Sequence, residues 1–156
     1  MNRAAAKLIK AMESKKLTLA LVESMTCGLA ANKLAFIPGV SEVLKGSIIC
    51  YTPEIKMKLL RVSKKVINKY SCESREVTEI ITKNLSTLIT ADVYAGITGL
   101  ASAGGSESKE KPVGTVFFTV RKGREIYNHK QRFYGTPLSI HKKACETLYK
   151  FILSKV

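Results

Sequence analysis

The sequence contains no tryptophan and only two histidines, His129 and His141, among 156 residues. Its four cysteines lie far apart and form no Cys-x-x-Cys pair: Cys27, Cys50, Cys72 and Cys145. With so few histidines available, this spacing favours neither a zinc site nor a disulfide framework. We therefore expect no metal site and no other cofactor.

Long apolar runs are also missing. No stretch approaches the roughly 20 residues that a membrane-spanning helix needs. Residues 1–16 alternate lysine with apolar residues and lack the apolar core of a signal peptide. We therefore expect a cytoplasmic protein with no membrane partner.

Acidic residues are scarce, with 12 Asp and Glu against 26 Lys and Arg, which gives a net charge of +14. The basic residues are dispersed along the chain, and lysine greatly outnumbers arginine, although base and phosphate recognition favours arginine. The charge therefore predicts a solvated surface that attracts small anionic ligands. Nucleic-acid binding ranks last, and it predicts an affinity that falls steeply with added salt.

The length and the 46% hydrophobic content indicate one globular domain over residues 1–156. Apolar periodicity and turn residues predict helices and strands that alternate through the first two thirds and end in a hairpin. This order predicts an α/β fold, a three-layer α/β/α sandwich with a mixed sheet. Helices are predicted at 3–15, from 29 to 36, from 53 onward, and at 63–69, 74–89 and 138–153. Strands are predicted at 17–22, 43–51, 91–98, 113–120 and 125–133.

The run 23–28 lies at a predicted strand-to-helix turn. The first N–H groups of a helix have no intrahelical partner and favour an anion or a developing oxyanion. The hydroxyls of Ser24 and Thr26 stand where they can either cap this helix or face a ligand. A second predicted feature is the loop 99–112, rich in glycine and serine, whose length is typical of functional or mobile loops.

Five short motifs follow one another along the chain: Glu23-Ser24-Met25-Thr26-Cys27-Gly28, Pro38-Gly39-Val40-Ser41, Gly46 with Tyr51-Thr52-Pro53-Glu54-Ile55-Lys56, Gly96-Ile97-Thr98-Gly99, and Glu110-Lys111-Pro112-Val113-Gly114-Thr115-Val116. In this order and spacing they resemble the C-terminal domain of the CinA (competence- and damage-inducible) family. The resemblance covers nearly the whole chain.

The resemblance implies an activity, because stand-alone members of that family hydrolyse the carboxamide of nicotinamide mononucleotide to nicotinate mononucleotide and ammonia. It implies that Ser24 is the nucleophile and that Lys56 is its activating base, with Tyr51 nearby to pass the proton or hold the amine. It also makes a homo-oligomer an expectation.

The same resemblance suggests which residues contact the nucleotide substrate. Ser41 and Thr98 match positions that in the family shape the active site and hold substrate. Thr26, Gly28 and Gly99 lie in the same motifs and are predicted to bind substrate.

Residues of these kinds suit amide hydrolysis. A serine must lose its proton as it attacks a poor electrophile, and a lysine can accept that proton when it is neutral, which burial favours. The N–H groups around residues 25–28 would stabilise the oxyanion, each by roughly 3 kcal/mol in better-known acyl-transfer sites.

Two departures from the family pattern stand out. Cys27 occupies the place of a glycine, so a positive φ there would cost strain. Cys27 could also be a nucleophile of its own, although no base is evident beside it. The family's late arginines, one of which would hold the phosphate, are missing from residues 134–142, where His141 or Lys142 could contact a phosphate as point charges.

Two hypotheses follow. The first is an amidohydrolase that acts on nicotinamide mononucleotide or a relative. The alternative is a catalytically impaired member of the family that binds a nucleotide or an acidic partner without turnover.

Overall fold

The computed structural model describes residues 3–156 as seven α-helices and five strands. The helices are α1 (Arg3–Ser14), α2 (Leu29–Ala35), α3 (Val40–Val43), α4 (Pro53–Leu60), α5 (Lys64–Tyr70), α6 (Arg75–Asn84) and α7 (Pro137–Leu153). The strands are β1 (Leu19–Glu23), β2 (Leu44–Ile49), β3 (Val93–Gly99), β4 (Thr115–Lys122) and β5 (Glu125–Arg132).

The strands form one mixed sheet in the order β2-β1-β3-β4-β5. The first three strands of this order run parallel, and β4 and β5 join as an antiparallel hairpin. Parallel strands need covered faces, which explains why every residue of β1 is buried. Strand β1 is therefore an interior strand of the sheet that is buried on both faces.

Helices cover both faces of the sheet. Successive side chains of β1 point to opposite faces, so Leu19 and Leu21 pack with α1, α2 and α7, whereas Ala20 and Val22 pack with α4 and α6. The predicted single-domain α/β/α sandwich with a mixed sheet is confirmed. No helix within residues 3–156 has both the length and the apolarity that crossing a membrane requires.

Several predicted boundaries were wrong for local reasons. Strand β1 starts at Leu19 rather than at residue 17, because the N–H and hydroxyl of Thr18 bind the carboxylate of Asp92. The predicted helix 74–89 is α-helical only to Asn84. The hydroxyls of Ser86 and Thr87 then bond to nearby carbonyls, and such local bonds compete with the helix. The short helix α3 was not predicted.

The fold brings three chain segments together at one edge of the sheet. Glu23 at the end of β1 lies beside Ile49 of β2 and Ile97 of β3. The Ser24 N–H donates to the Ile97 carbonyl at 3.1 Å, and the Cys50 N–H donates to the Glu23 carbonyl at 2.8 Å. The residues that follow the three parallel strands therefore meet at their carboxyl ends, where ligand sites of open α/β sheets form.

Candidate active site

Ser24 and Lys56 form a buried pair. The Lys56 Nζ lies 2.9 Å from the Ser24 Oγ and donates to the carbonyl oxygens of Cys50, at 2.6 Å, and Tyr51, at 3.3 Å. The lysine is fully buried and the serine is 5% exposed. The ion pair within residues 3–156 is Glu146–Lys150, so no carboxylate pairs with Lys56. Within residues 3–156 the hydrogen-bond partners of its amine are therefore hydroxyl and carbonyl oxygens.

The local sequence positions Lys56 at the start of a helix. Pro53 occupies the first turn of α4, and the Thr52 Oγ1 caps the helix by accepting from the Ile55 N–H. Lys56 is one turn into α4 and points back across the end of β2 towards Ser24. The end of β2 and the start of α4 therefore converge beside Ser24.

The backbone carbonyl of Tyr51, and not its side chain, hydrogen-bonds to Lys56. Its carbonyl accepts from the lysine amine, but its side chain is 63% exposed and its phenol makes no hydrogen bond in the described part of the chain. The ring lines the cavity above Ser24. Tyr51 is therefore placed to contact a ligand rather than to relay the serine proton in this conformation.

Glu23, the residue before Ser24, organises the turn and was not singled out from the sequence. Its fully buried carboxylate accepts five hydrogen bonds of 2.7–3.1 Å. The donors are the Thr26 and Ser47 hydroxyls and the backbone N–H groups of Gly28, Ala30 and Ala31. The signal that could have revealed it is an acid at the end of an apolar strand, directly before a helix whose N–H groups need acceptors.

The interpretation that Ser24 or Thr26 caps α2 was therefore wrong. The position preceding α2 is Gly28, which provides no side-chain cap, and the Thr26 hydroxyl donates to Glu23 instead. Because Glu23 takes the capping role, the hydroxyl of Ser24 is left for Lys56.

The structure also reduces the number of N–H groups among residues 25–28 that are available to an oxyanion. Within the turn, the Gly28 N–H is bound to Glu23 and the Cys27 N–H to the Ser24 carbonyl. The N–H groups of Met25 and Thr26 make no hydrogen bond with residues 3–156. These two N–H groups, directly after Ser24, are the ones within the turn that are left to donate to a ligand.

Cys27 adopts the left-handed conformation with φ 48°, and Gly28 follows with φ 92°. The expected strain at Cys27 is therefore present, because non-glycine residues disfavour this region. The Cys27 side chain is exposed and does not line the cavity above Ser24. Burial raises the pKa of the Cys50 thiol to about 11, and the electrostatic effect of the neighbouring Lys56 only partly opposes this rise.

The pair lies beside a cavity of about 390 Å³. Ser24 and Tyr51 line it together with Glu73 from the α5–α6 connection and His141 from α7. The loop after β3, residues 99–105, forms another wall. Burial lowers the pKa of His141 from its ordinary value of 6.5, so this imidazole is mostly neutral at pH 7.

The remaining predicted substrate residues are spread more widely. Gly99 lines the cavity, and a Cβ there would lie 2.6 Å from the Met25 Sδ. Thr98 is fully buried and donates to the Thr78 hydroxyl at 2.8 Å, since Thr78 gives its own proton to the Ser74 carbonyl.

Ser41 and Lys142 are exposed and do not line the cavity, whereas His141 does. In the described residues no cluster of three His, Cys, Asp or Glu side chains is arranged to hold a metal ion.

The profile of the CinA C-terminal domain family matches residues 1–156. The chain belongs to this family. A CinA-like protein of Pseudothermotoga lettingae is 31% identical over 149 residues, which is 95% of this chain and 36% of that protein. The chain therefore spans about a third of the length of such CinA relatives.

Solved CinA structures have the same fold. The competence/damage inducible protein from Agrobacterium tumefaciens is 26% identical with a TM-score of 0.91, and the match covers 98% of this chain and 93% of that one. A CinA superfamily protein from Escherichia coli is 24% identical with a TM-score of 0.93, covering 99% and 90% of the two chains.

Replacing Glu23 with Gln is expected to lower the free energy of unfolding by about 2 to 4 kcal/mol. Whichever carboxylate oxygen becomes an NH₂ group will face a backbone N–H donor that it cannot satisfy. Urea denaturation checks this, with the exposed Glu42→Gln as the control. A loss as small as that of the control would contradict the assigned role of Glu23.

Replacing Cys27 with Gly is expected to raise stability by about 0.5 to 1 kcal/mol, because glycine tolerates the positive φ. Lys16 has φ 53° and is exposed, so Lys16→Gly is a matched control that should gain a similar amount. Thermal denaturation measures both. Cys27→Ser should leave any activity intact, and loss of activity in Cys27→Ser would make the thiol the nucleophile.

Proposed function

We propose that this chain is a serine amidohydrolase that removes ammonia from the carboxamide of nicotinamide mononucleotide or a close relative. The observation that supports it most is the buried contact of 2.9 Å between the Lys56 Nζ and the Ser24 Oγ, beside a cavity. Within the described residues neither histidine hydrogen-bonds to Ser24, whereas Lys56 does, so Lys56 is the base best placed to act on it.

The first half of the reaction follows from this geometry. The Ser24 Oγ attacks the carboxamide carbon while its proton passes to the Lys56 Nζ. The carbonyl oxygen becomes an oxyanion that the N–H groups of Met25 and Thr26 can stabilise. When the C–N bond breaks, Lys56 returns the proton to the departing nitrogen, which leaves as ammonia, and an ester of Ser24 remains.

Water completes the reaction. Lys56 takes a proton from a water molecule as that water attacks the ester carbonyl, and the second tetrahedral intermediate forms in the same oxyanion position. Collapse breaks the bond to the Ser24 Oγ, which recovers its proton from Lys56. The product leaves as the carboxylic acid, which gives its proton to solvent to become the carboxylate, and the protein returns to its starting state.

A second candidate is a family member that binds a nucleotide or an acidic partner without turning it over. It is favoured by one specific observation: no Lys or Arg side chain is among the described residues that line the cavity, so a phosphorylated amide finds no permanent cation beside Ser24. The net charge of +14 nevertheless offers cations to an anionic ligand elsewhere on the surface. The two candidate functions differ in the expected effect of Ser24→Ala on ammonia release.

Ser24→Ala and Lys56→Met are each expected to lower kcat for ammonia release from nicotinamide mononucleotide by at least about 10³-fold, since each removes one partner of the nucleophilic step. Coupled detection of ammonia measures this, with nicotinamide and glutamine as control amides. The exposed Lys58 lies two residues along the same helix, so Lys58→Met is the matched control and should retain activity.

Absence of ammonia release from the unmodified protein at high concentration would reject the amidohydrolase and favour the binding protein. Release that persists in Ser24→Ala would reject Ser24 as the nucleophile.

A further inference from the structure

Glu73 is the carboxylate among the described residues that line the cavity beside Ser24. It lies in the connection between α5 and α6, and it takes no part in the proton transfers of the proposed reaction. A charged side chain that is half buried against a ligand-sized cavity is costly unless it has partners. The hydrogen-bond partners of Glu73 therefore indicate its role.

One side of Glu73 is firmly held. The Ser106 hydroxyl donates to Oε2, and the Lys111 Nζ donates to the Glu73 carbonyl at 2.9 Å and to the Ser106 Oγ at 2.6 Å. The Lys111 amine also donates to the Ser71 hydroxyl. Because the Lys111 amine donates to the Ser106 oxygen, the single hydroxyl proton of Ser106 is left to donate to Glu73.

The other carboxylate oxygen is free. No donor in the described part of the chain bonds to the Glu73 Oε1. Burial lowers the pKa of Lys111, and the charge of Glu73 opposes that effect, so the two opposite charges attract each other without forming a direct ion pair. Glu73 is thus an anchored anion with unused acceptor capacity at the edge of the cavity.

We propose that Glu73 is a specificity-determining residue that accepts hydrogen bonds from the sugar hydroxyls of the substrate. This inference rests on the proposed function, which places a pyridine carboxamide at Ser24. The two neighbouring hydroxyls of a ribose can both donate to one carboxylate. Acidic residues accept hydrogen bonds from ribose in this way in dinucleotide-binding sites.

The chemistry selects a sugar over the other parts of a nucleotide. A carboxylate repels a phosphate, and a pyridinium ring carries a charge but no N–H or O–H donor on its ring nitrogen. The titratable groups that share the cavity with Glu73 are Tyr51 and His141, and neither is hydrogen-bonded to it. Glu73 also borders a second cavity, which is lined by the cationic side chains of Lys69, Arg75, Lys111 and Lys130. Within the described residues none of these cations hydrogen-bonds to the Glu73 Oε1, so this oxygen is available to a ligand.

The test measures binding rather than turnover. Ser24→Ala protein is titrated by calorimetry with nicotinamide riboside, with its 2′,3′-dideoxy analogue, and with 1-methylnicotinamide, which keeps the ring charge and lacks the sugar. With Glu73 intact, the riboside should bind about tenfold more tightly than the dideoxy analogue, as expected for loss of hydrogen bonds to a charged group.

Adding Glu73→Met should remove this preference and leave the affinity for 1-methylnicotinamide unchanged. Glu76 is exposed and does not line this cavity, so Glu76→Met is the matched control and should keep the preference. The comparison of riboside with dideoxy analogue needs no change at Glu73, so it stands even where Glu73→Met fails to fold.

Equal binding of the riboside and the dideoxy analogue would overturn the proposal, as would their failure to bind. Equal weakening of the riboside and 1-methylnicotinamide by Glu73→Met would overturn it as well, because Glu73 would then act on the ring charge. Absence of ammonia release rejects the amidohydrolase without changing these binding affinities, so the two failures are distinguishable.

Discussion

The buried carboxylate of Glu23 is the constraint on which the rest of the site depends. Five donors from the turn, from the start of α2 and from β2 converge on it. A buried charge without a cationic partner is tolerated only when hydrogen bonds and a helix N-terminus stabilise it. Glu23 thereby binds three elements together one residue before Ser24, and the position of the Ser24 hydroxyl follows from that.

The same constraint decides which groups remain for chemistry. Because Glu23 occupies the N–H groups of Gly28, Ala30 and Ala31, the start of α2 is closed to a substrate anion. The N–H groups that make no hydrogen bond with residues 3–156 lie earlier in the turn, at Met25 and Thr26. The left-handed conformation of Cys27 makes this tight turn possible and accounts for the strain that a cysteine carries there.

Much of the fold could be predicted from local patterns, since the order of helices and strands follows from apolar periodicity and turn residues. The pairing of Lys56 with Ser24 could be predicted only from the resemblance to CinA motifs, because 32 residues separate the two in sequence and local patterns do not reach that far. Glu23 and Glu73 were not predicted as site residues, since an acid looks solvated until distant elements surround it. Thr98, predicted to bind substrate, is turned towards Thr78, a contact that depends on how α6 packs on β3.

The most direct test is to measure the site and rate of serine phosphonylation by a fluorophosphonate, which loses fluoride as the serine oxygen attacks its phosphorus, with mass spectrometry of the intact protein and its peptides. The account predicts one adduct, on Ser24, which forms rapidly in the unmodified protein and in Lys58→Met and is nearly abolished in Lys56→Met. An adduct at another serine, or equal labelling of Ser24 in Lys56→Met, would contradict the claim that Lys56 activates Ser24.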